Sequence, residues 1–290
     1  MILLETSNRI LFDEVFNFNG EKRIYNIFAD FDGVKFHTHT SEDKQQLFVS
    51  IQFKGAADLL KNGGQTYLKA VYGPLLQAKP EPGYDITLII DVNAPNKEEL
   101  AHKVSQLKRN LMAAPFLMVF DAIESKKATP EIISIDYRSD ESFYIKTQGD
   151  NVTVIFDIIF KDSDDIVLSK IFLQAFVDVR KTLNNVPSVS FSQKDPPLEL
   201  KGVRGVRAGV NHGFVSINLF PGHIKKAQET ADLIQTFRDY LHYHIKCAKG
   251  YMHTSMRNRV DGLLQVLNRA KPEPVNTVKR TFKGKFFKQS

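Results

Sequence analysis

Apolar and polar residues alternate with a period of two over several short stretches of the chain, the pattern of half-buried β-strands. The clearest are 47–53 (LFVSIQF), 85–92 (DITLIIDV), 152–160 (VTVIFDIIF) and 213–220 (GFVSINLF). A hairpin is expected where Phe28 and Val34 to Phe36 flank Asp32-Gly33, a favoured turn dipeptide. Next come a helical pattern over 56–72, turn chemistry at 80–83 (PEPG), and a helix opening at Asn96 with Glu98 and Glu99 in its first turn. Pro115 is expected to end or kink that helix. A second half starts near Thr129-Pro130, with strands over 131–137, 142–147, 152–160, 188–191 and 213–220 and a helix from Asp164 to about Lys181. Both halves run strands, helix, strand, closing helix, with hairpin-length connections. The expected class is therefore α+β: two related α/β modules with largely antiparallel sheets and a long C-terminal helix. The expected boundaries are 1–128 and 129–226 for the modules, 227–271 for the helix and 272–290 for a basic tail.

The longest helical pattern is the last. Apolar residues recur at Phe237, Leu241, Ile245, Ala248, Met252, Met256, Val260, Leu263 and Leu267, spaced by three or four. A helix from Thr230 to Ala270 measures about 60 Å at roughly 1.5 Å per residue. That outruns the core of a small domain, so part of the stripe is expected to pack on the chain's own second module and part on another molecule. Gly250 and Gly262 each weaken such a helix by about 1 kcal/mol relative to Ala.

Charge sharpens the picture. Residues 242–290 hold eleven Lys or Arg against Asp261 and Glu273, a net +9 within a chain of net +6. The first 241 residues therefore sum to −3. Two readings stay open for this basic end. Phe282, Phe286 and Phe287 interleaved with Lys283, Lys285 and Lys288 suit nucleic acid, through charge and stacking. The same charges suit an acidic protein surface such as a filament. The single cysteine, Cys247, allows no internal disulfide and reads as a packed helix residue in a reducing compartment. No signal-peptide pattern opens the chain and no apolar run reaches membrane-spanning length, so a soluble cytosolic protein is expected.

Candidate chemistry is thin. His242 and His244 point about 200° apart on a helix, and His253 sits roughly 16 Å along the axis from His242, so these three cannot share a metal. His37 and His39 do point to one side of a strand, but no third ligand is apparent near them in sequence, and a solvated hairpin face is the expectation. Asp162 to Asp165 precede an apolar helix and read as cap and dipole partners. Asp30 and Asp32 fail the calcium-loop spacing. The run 201–209 (KGVRGVRAG) lacks a Gly-Lys-Ser/Thr ending and reads as a flexible loop, with Arg204 and Arg207 available to an acidic partner. No nucleophile elbow is present. Neither catalytic, cofactor nor metal residues are expected.

Specific strings then carry a resemblance. The run 237–257 (FRDYLHYHIKCAKGYMHTSMR) resembles the hallmark segment of the 34 kDa subunit family of the actin-related protein 2/3 complex. Supporting strings are MILLE, Asn8-Arg-Ile10, 28–34 (FADFDGV), 107–110 (LKRN), Tyr137-Arg138 with Asp140-Glu141, 152–154 (VTV), 160–162 (FKD), Asp164-Asp165, 196–200 (PPLEL) and 266–270 (VLNRA). The 202–213 loop and the Phe- and Lys-rich end after Thr281 depart from the family pattern. The resemblance implies a non-enzymatic scaffold, subunit 2 of a seven-subunit assembly that nucleates branched actin filaments. It implies pairing with subunit 4 through long antiparallel helices, the pair lying against the mother actin filament in the cortical cytoskeleton and cell projections. ATP would be bound by other subunits, and neither nucleic acid nor membrane insertion would be involved. On this reading Phe237, Leu241, Ile245, Ala248, Met252, Met256, Val260 and Leu263 form the partner-subunit interface. Lys246, Lys249, Arg257, Arg259, Arg269, Lys271, Lys279 and Arg280 would contact the filament.

Overall fold

The computed structural model describes residues 6–30, 32–138, 140–160, 162–182, 186–269, 279–280 and 286–287. The chain opens with α1 (Arg9–Phe16) and three strands, β1 (Tyr25–Ala29), β2 (Lys35–Thr40) and β3 (Gln46–Gln52). The short α2 (Ala56–Leu59) and α3 (Gln65–Tyr72) follow, then β4 (Ile86–Asp91), α4 (Lys97–Ser105) and α5 (Leu107–Glu124). The second half supplies β5 (Ile132–Ile135), β6 (Ser142–Gln148), β7 (Asn151–Ile159), α6 (Ser163–Thr182), β8 (Ser188–Gln193) and β9 (His212–Leu219). It closes with α7 (Pro221–Ile224) and α8 (Ala227–Arg269), after which β10 (Lys279–Arg280) pairs with β11 (Phe286–Phe287).

Two main sheets result, in the orders β1-β2-β3-β4 and β5-β6-β7-β9-β8, and every pairing is antiparallel. The fold class is the expected α+β one. The alternating pattern explains the faces. Leu47, Val49 and Ile51 of β3 and Leu88 of β4 are fully buried on one side of the first sheet, while His37 and His39 of β2 take the other. The two halves share one continuous core, in which Phe116 of α5 stacks on Phe143 of β6 at 5.4 Å. The described residues divide into two compact units, 1–245 and 246–290, with the boundary inside α8.

Several local expectations are corrected. The 56–72 helix is interrupted, because Asn62 and Gly63 leave helical geometry and Gly63 takes φ 97°. A Cβ there would lie 2.9 Å from the Cβ of Met118, so only glycine lets this turn approach α5. The next helix breaks at Gln106 and not at Pro115, which sits inside α5 among the buried residues Ala114, Phe116 and Val119. Packing on both sides of the proline outweighs its missing donor. Asn96 stands at the N-cap position in left-handed geometry, and its side chain makes no capping bond. Asp164 and Asp165 do fall in the first turn of α6, where they complement the helix dipole.

The 201–209 run is held down. Val203 and Val206, three residues apart, pack with Tyr144, Ile155, Leu200 and Phe214 in a second small core on the outer face of the second sheet. Asp30 and Asp32 are engaged by basic side chains. Lys108 contacts both carboxylates, and Arg138 Nη2 contacts Asp32 from the other half of the chain at 2.5 Å. Burial would push the Lys108 ammonium down in pKa, but the Asp32 and Asp30 charges more than reverse that and hold it above the ordinary lysine value.

Candidate partner-binding surface of the long helix

α8 is 43 residues long, about 65 Å at roughly 1.5 Å per residue. Its first part is built into the body. Ala231, Ile234, Phe237, Leu241 and Ile245 all belong to the main core, Leu241 with no exposed surface and Ile245 with 4%. Polar contacts set its register. Arg109 of α5, only 7% exposed, donates from Nε to Asp232 Oδ1 at 2.6 Å and from Nη2 to the Gln228 carbonyl at 3.3 Å. Asn110 accepts from Arg109 Nη1 and donates to the Tyr72 hydroxyl at 2.9 Å, which in turn donates to the Lys103 carbonyl at 2.9 Å. Burial pushes the Tyr72 phenol well up in pKa, which keeps it neutral and able to donate. The two histidines expected on opposed faces are so disposed: His242 Nε2 lies 3.8 Å from Glu141, and His244 stacks on Phe172 at 4.6 Å.

From Lys246 onward the helix presents a different surface. Met252 is 51% exposed, and Met256, Val260, Leu263, Leu264, Val266 and Leu267 are likewise open. At about 100° per residue, Val266, Met252, Leu263, Met256, Leu267 and Val260 fall within an arc of roughly 120°. A face this wide is the apolar stripe of a helix that packs against something. Among the described residues, a Cβ added at Gly250 or Gly262 would meet nothing within 4 Å. Cys247 is exposed, against the expectation that it packs.

The structure therefore splits the expected interface set. Phe237, Leu241 and Ile245 are buried in the chain's own core. Ala248 is half-buried, and Met252, Met256, Val260 and Leu263 are open. Val266, at the edge of the arc, is exposed and was missed, because a strict three-or-four spacing selects only the centre of the stripe; Tyr251 and Leu264 are exposed as well but lie outside the arc. Among the expected filament contacts, Lys246, Arg257, Arg259 and Arg269 are exposed and Lys249 is half-buried. Lys249 and Arg259 fall inside the apolar arc, whereas Lys246, Arg257 and Arg269 lie about 40–60° beyond its edges. Lys271 and Phe282, Lys283, Lys285 and Lys288 of the tail lie outside the described residues; Lys279 and Arg280 form β10. Among the described residues, no helix is long and apolar enough to cross a membrane.

Among the described residues, the final turns of α8 thus carry a wide exposed apolar face of the kind that marks interaction sites. Residues 49–274 match the family model described as Arp2/3 complex, 34 kD subunit p34-Arc. Over their full lengths, this chain and the Dictyostelium discoideum protein named actin-related protein 2/3 complex subunit 2 are 74% identical across 293 residues. The protein of the same name from Schizosaccharomyces pombe is 34% identical across 316 residues, covering 99% of both chains. The chain belongs to the p34-Arc family.

Proposed function

We propose that this chain is a non-catalytic scaffold subunit of the actin-related protein 2/3 complex, working in the actin cytoskeleton. In this reading the open face of α8 pairs with subunit 4, and the pair forms the core that binds the side of a mother actin filament and supports branched nucleation. The observation that carries the proposal is the change along α8 from full burial at Leu241 to half or more exposure at Met252, Met256, Val260 and Leu263. An apolar stripe that stays half exposed or more from Met252 to Leu267 needs a partner to cover it. The relatives' names supply the identity of the assembly. The two sheets support a division into modules at 1–128 and 129–226, followed by the helix over 227–271 and the basic tail.

Position around the helix supports an assignment of the basic residues within this proposal. Lys249 and Arg259 share the arc of the stripe, so they belong to the subunit interface, where long stems can pack while their charges reach the rim. Lys246, Arg257 and Arg269 point elsewhere and are the filament contacts, joined by Lys271, Lys279 and Arg280 from the following segment. The test has two arms. Met256→Asp with Leu263→Asp should abolish co-purification with subunit 4 while leaving the isolated chain folded. Charge reversal at Arg257, Arg269 and Lys279 should weaken co-sedimentation of the assembled complex with actin filaments, the more so at low ionic strength. Retention of subunit 4 in the first variant, or unchanged co-sedimentation in the second, defeats the corresponding half of the proposal.

A further inference from the structure

The outer face of the first sheet carries a polar cluster that the partner-binding reading does not use. His37 and His39 stand two residues apart on β2 and so project to the same side. Ser50 of β3 is paired across from His37, and Thr87 of β4 is paired across from Ser50. The turn before β4 lays Glu81 over this row. Its backbone N–H donates to Thr87 Oγ1 at 2.9 Å, and its carboxylate Oε2 accepts from Ser50 Oγ at 2.5 Å. Oε1 lies 2.5 Å from His39 Nε2, and Oε2 lies 3.5 Å from His37 Nδ1. One ligand atom from each of His37, His39 and Glu81 can be chosen so that all lie within 4.8 Å of one another.

Two features distinguish this cluster from an ordinary hydrogen-bonded surface. Both ring nitrogens of His37 are shielded from solvent; Nε2 meets no acceptor, and Nδ1 has only the weak, 3.5 Å approach of Glu81 Oε2, at the outer limit of a hydrogen bond. A shielded imidazole with so poorly satisfied a pair of nitrogens is a costly group to bury unless something else engages its lone pair. The Glu81 carboxylate is held by Ser50, and its backbone N–H is anchored on Thr87, so a ligating carboxylate here would be oriented by an outer hydrogen bond. Spacing agrees. Bonds of about 2.0–2.1 Å in tetrahedral geometry set ligand atoms roughly 3.3–3.4 Å apart. The Glu81 carboxylate faces both rings, Oε1 at 2.5 Å from His39 and Oε2 at 3.5 Å from His37, and the three ligand atoms lie within 4.8 Å of one another, the scale of such a set.

We propose that His37, His39 and Glu81 form a binding site for a single Zn²⁺ ion. Two imidazoles and one carboxylate suit zinc and other first-row divalent ions, whereas calcium and magnesium require a largely oxygen donor set. The three side chains are 12%, 23% and 22% exposed, which leaves an entry path and a fourth position for water. Sequence spacing alone hides the site, because Glu81 lies 42 residues from His39 and arrives only through the β3–β4 pairing.

The test uses the full chain with any affinity tag removed, stripped by a chelator and titrated with Zn²⁺ against a chromophoric competitor. One equivalent should bind. Glu81→Gln, which preserves shape, should weaken binding at least tenfold, and His37→Ala with His39→Ala should remove it. His253→Ala, on the exposed part of α8, should leave the affinity unchanged. If the histidine variants lose their fold by circular dichroism, Co²⁺ bound to the unaltered chain supplies the readout. Intense visible bands of a low-coordinate nitrogen and oxygen site support the assignment. Less than one equivalent bound, equal affinity after Glu81→Gln in a folded protein, or only weak octahedral Co²⁺ bands would overturn it.

Discussion

The two parts of α8 carry the same residue pattern and have opposite surroundings. Before Lys246, Ala231, Ile234, Phe237, Leu241 and Ile245 are sealed in the main core, and Arg109 ties the helix to α5. After it, Met252, Met256, Val260 and Leu263 keep the periodicity of the stripe and remain half exposed or more. The difference shows that an apolar stripe declares only that a face will be covered. It does not say by what. One stripe thus serves the fold and, in the proposed reading, the assembly.

The sharpest way to break this comparison is to truncate both parts and measure the isolated chain. Leu241→Ala or Ile245→Ala should cost about 2–5 kcal/mol in denaturant unfolding, the range for large-to-small changes in a sealed core. Met256→Ala or Leu263→Ala should stay within about 0.5 kcal/mol, as for other solvated sites. Equal losses at all four positions would mean that the isolated chain covers the later face itself. In the complex the order should change, with Leu263→Ala costing pairing with subunit 4 about 1–2 kcal/mol or more if it is a central contact.

Next in size is the polar tie. Arg109→Ala removes the donor to Asp232 and to the Gln228 carbonyl and leaves a cavity beside Asn110. A loss of about 1–3 kcal/mol is expected, with faster hydrogen exchange in the first turns of α8 and little change after Gly250. Uniformly faster exchange along the whole helix would show that its two parts are not independent.

The smallest effect is expected at the glycines. With nothing near an added Cβ, Gly250→Ala should raise helix stability by about 0.5–1 kcal/mol in the isolated chain, read as a higher melting temperature. If Gly250 lies where a partner backbone approaches, the same change should weaken pairing with subunit 4, and the two measurements move in opposite directions. A neutral result in both would leave the glycine without a role in either surface.

Much of the fold was legible. Period-two runs located β3, β4, β7 and β9, and the turn dipeptide Asp32-Gly33 located a hairpin. What failed were features decided by packing across the molecule. Gln106 and not Pro115 breaks the α4–α5 segment, because Pro115 lies among buried neighbours that hold it in helical geometry. The 201–209 run reads as flexible from its glycines, yet Val203 and Val206 anchor it on the second sheet. Glu81 joins His37 and His39 only because β3 pairs with β4 and draws the intervening turn over the sheet.

Residue type and spacing alone determined that this chain forms antiparallel strands, a long closing helix with one apolar stripe, and a basic end, because those properties depend on periods of 2 and 3.6 and on local charge. The strings along 237–257 also carried the family. Only the tertiary structure decided where the stripe stops being core, after Ile245, because burial depends on which distant elements reach a helix face. The same holds for the three side chains gathered on the first sheet, whose meeting is a matter of strand register and not of distance along the chain.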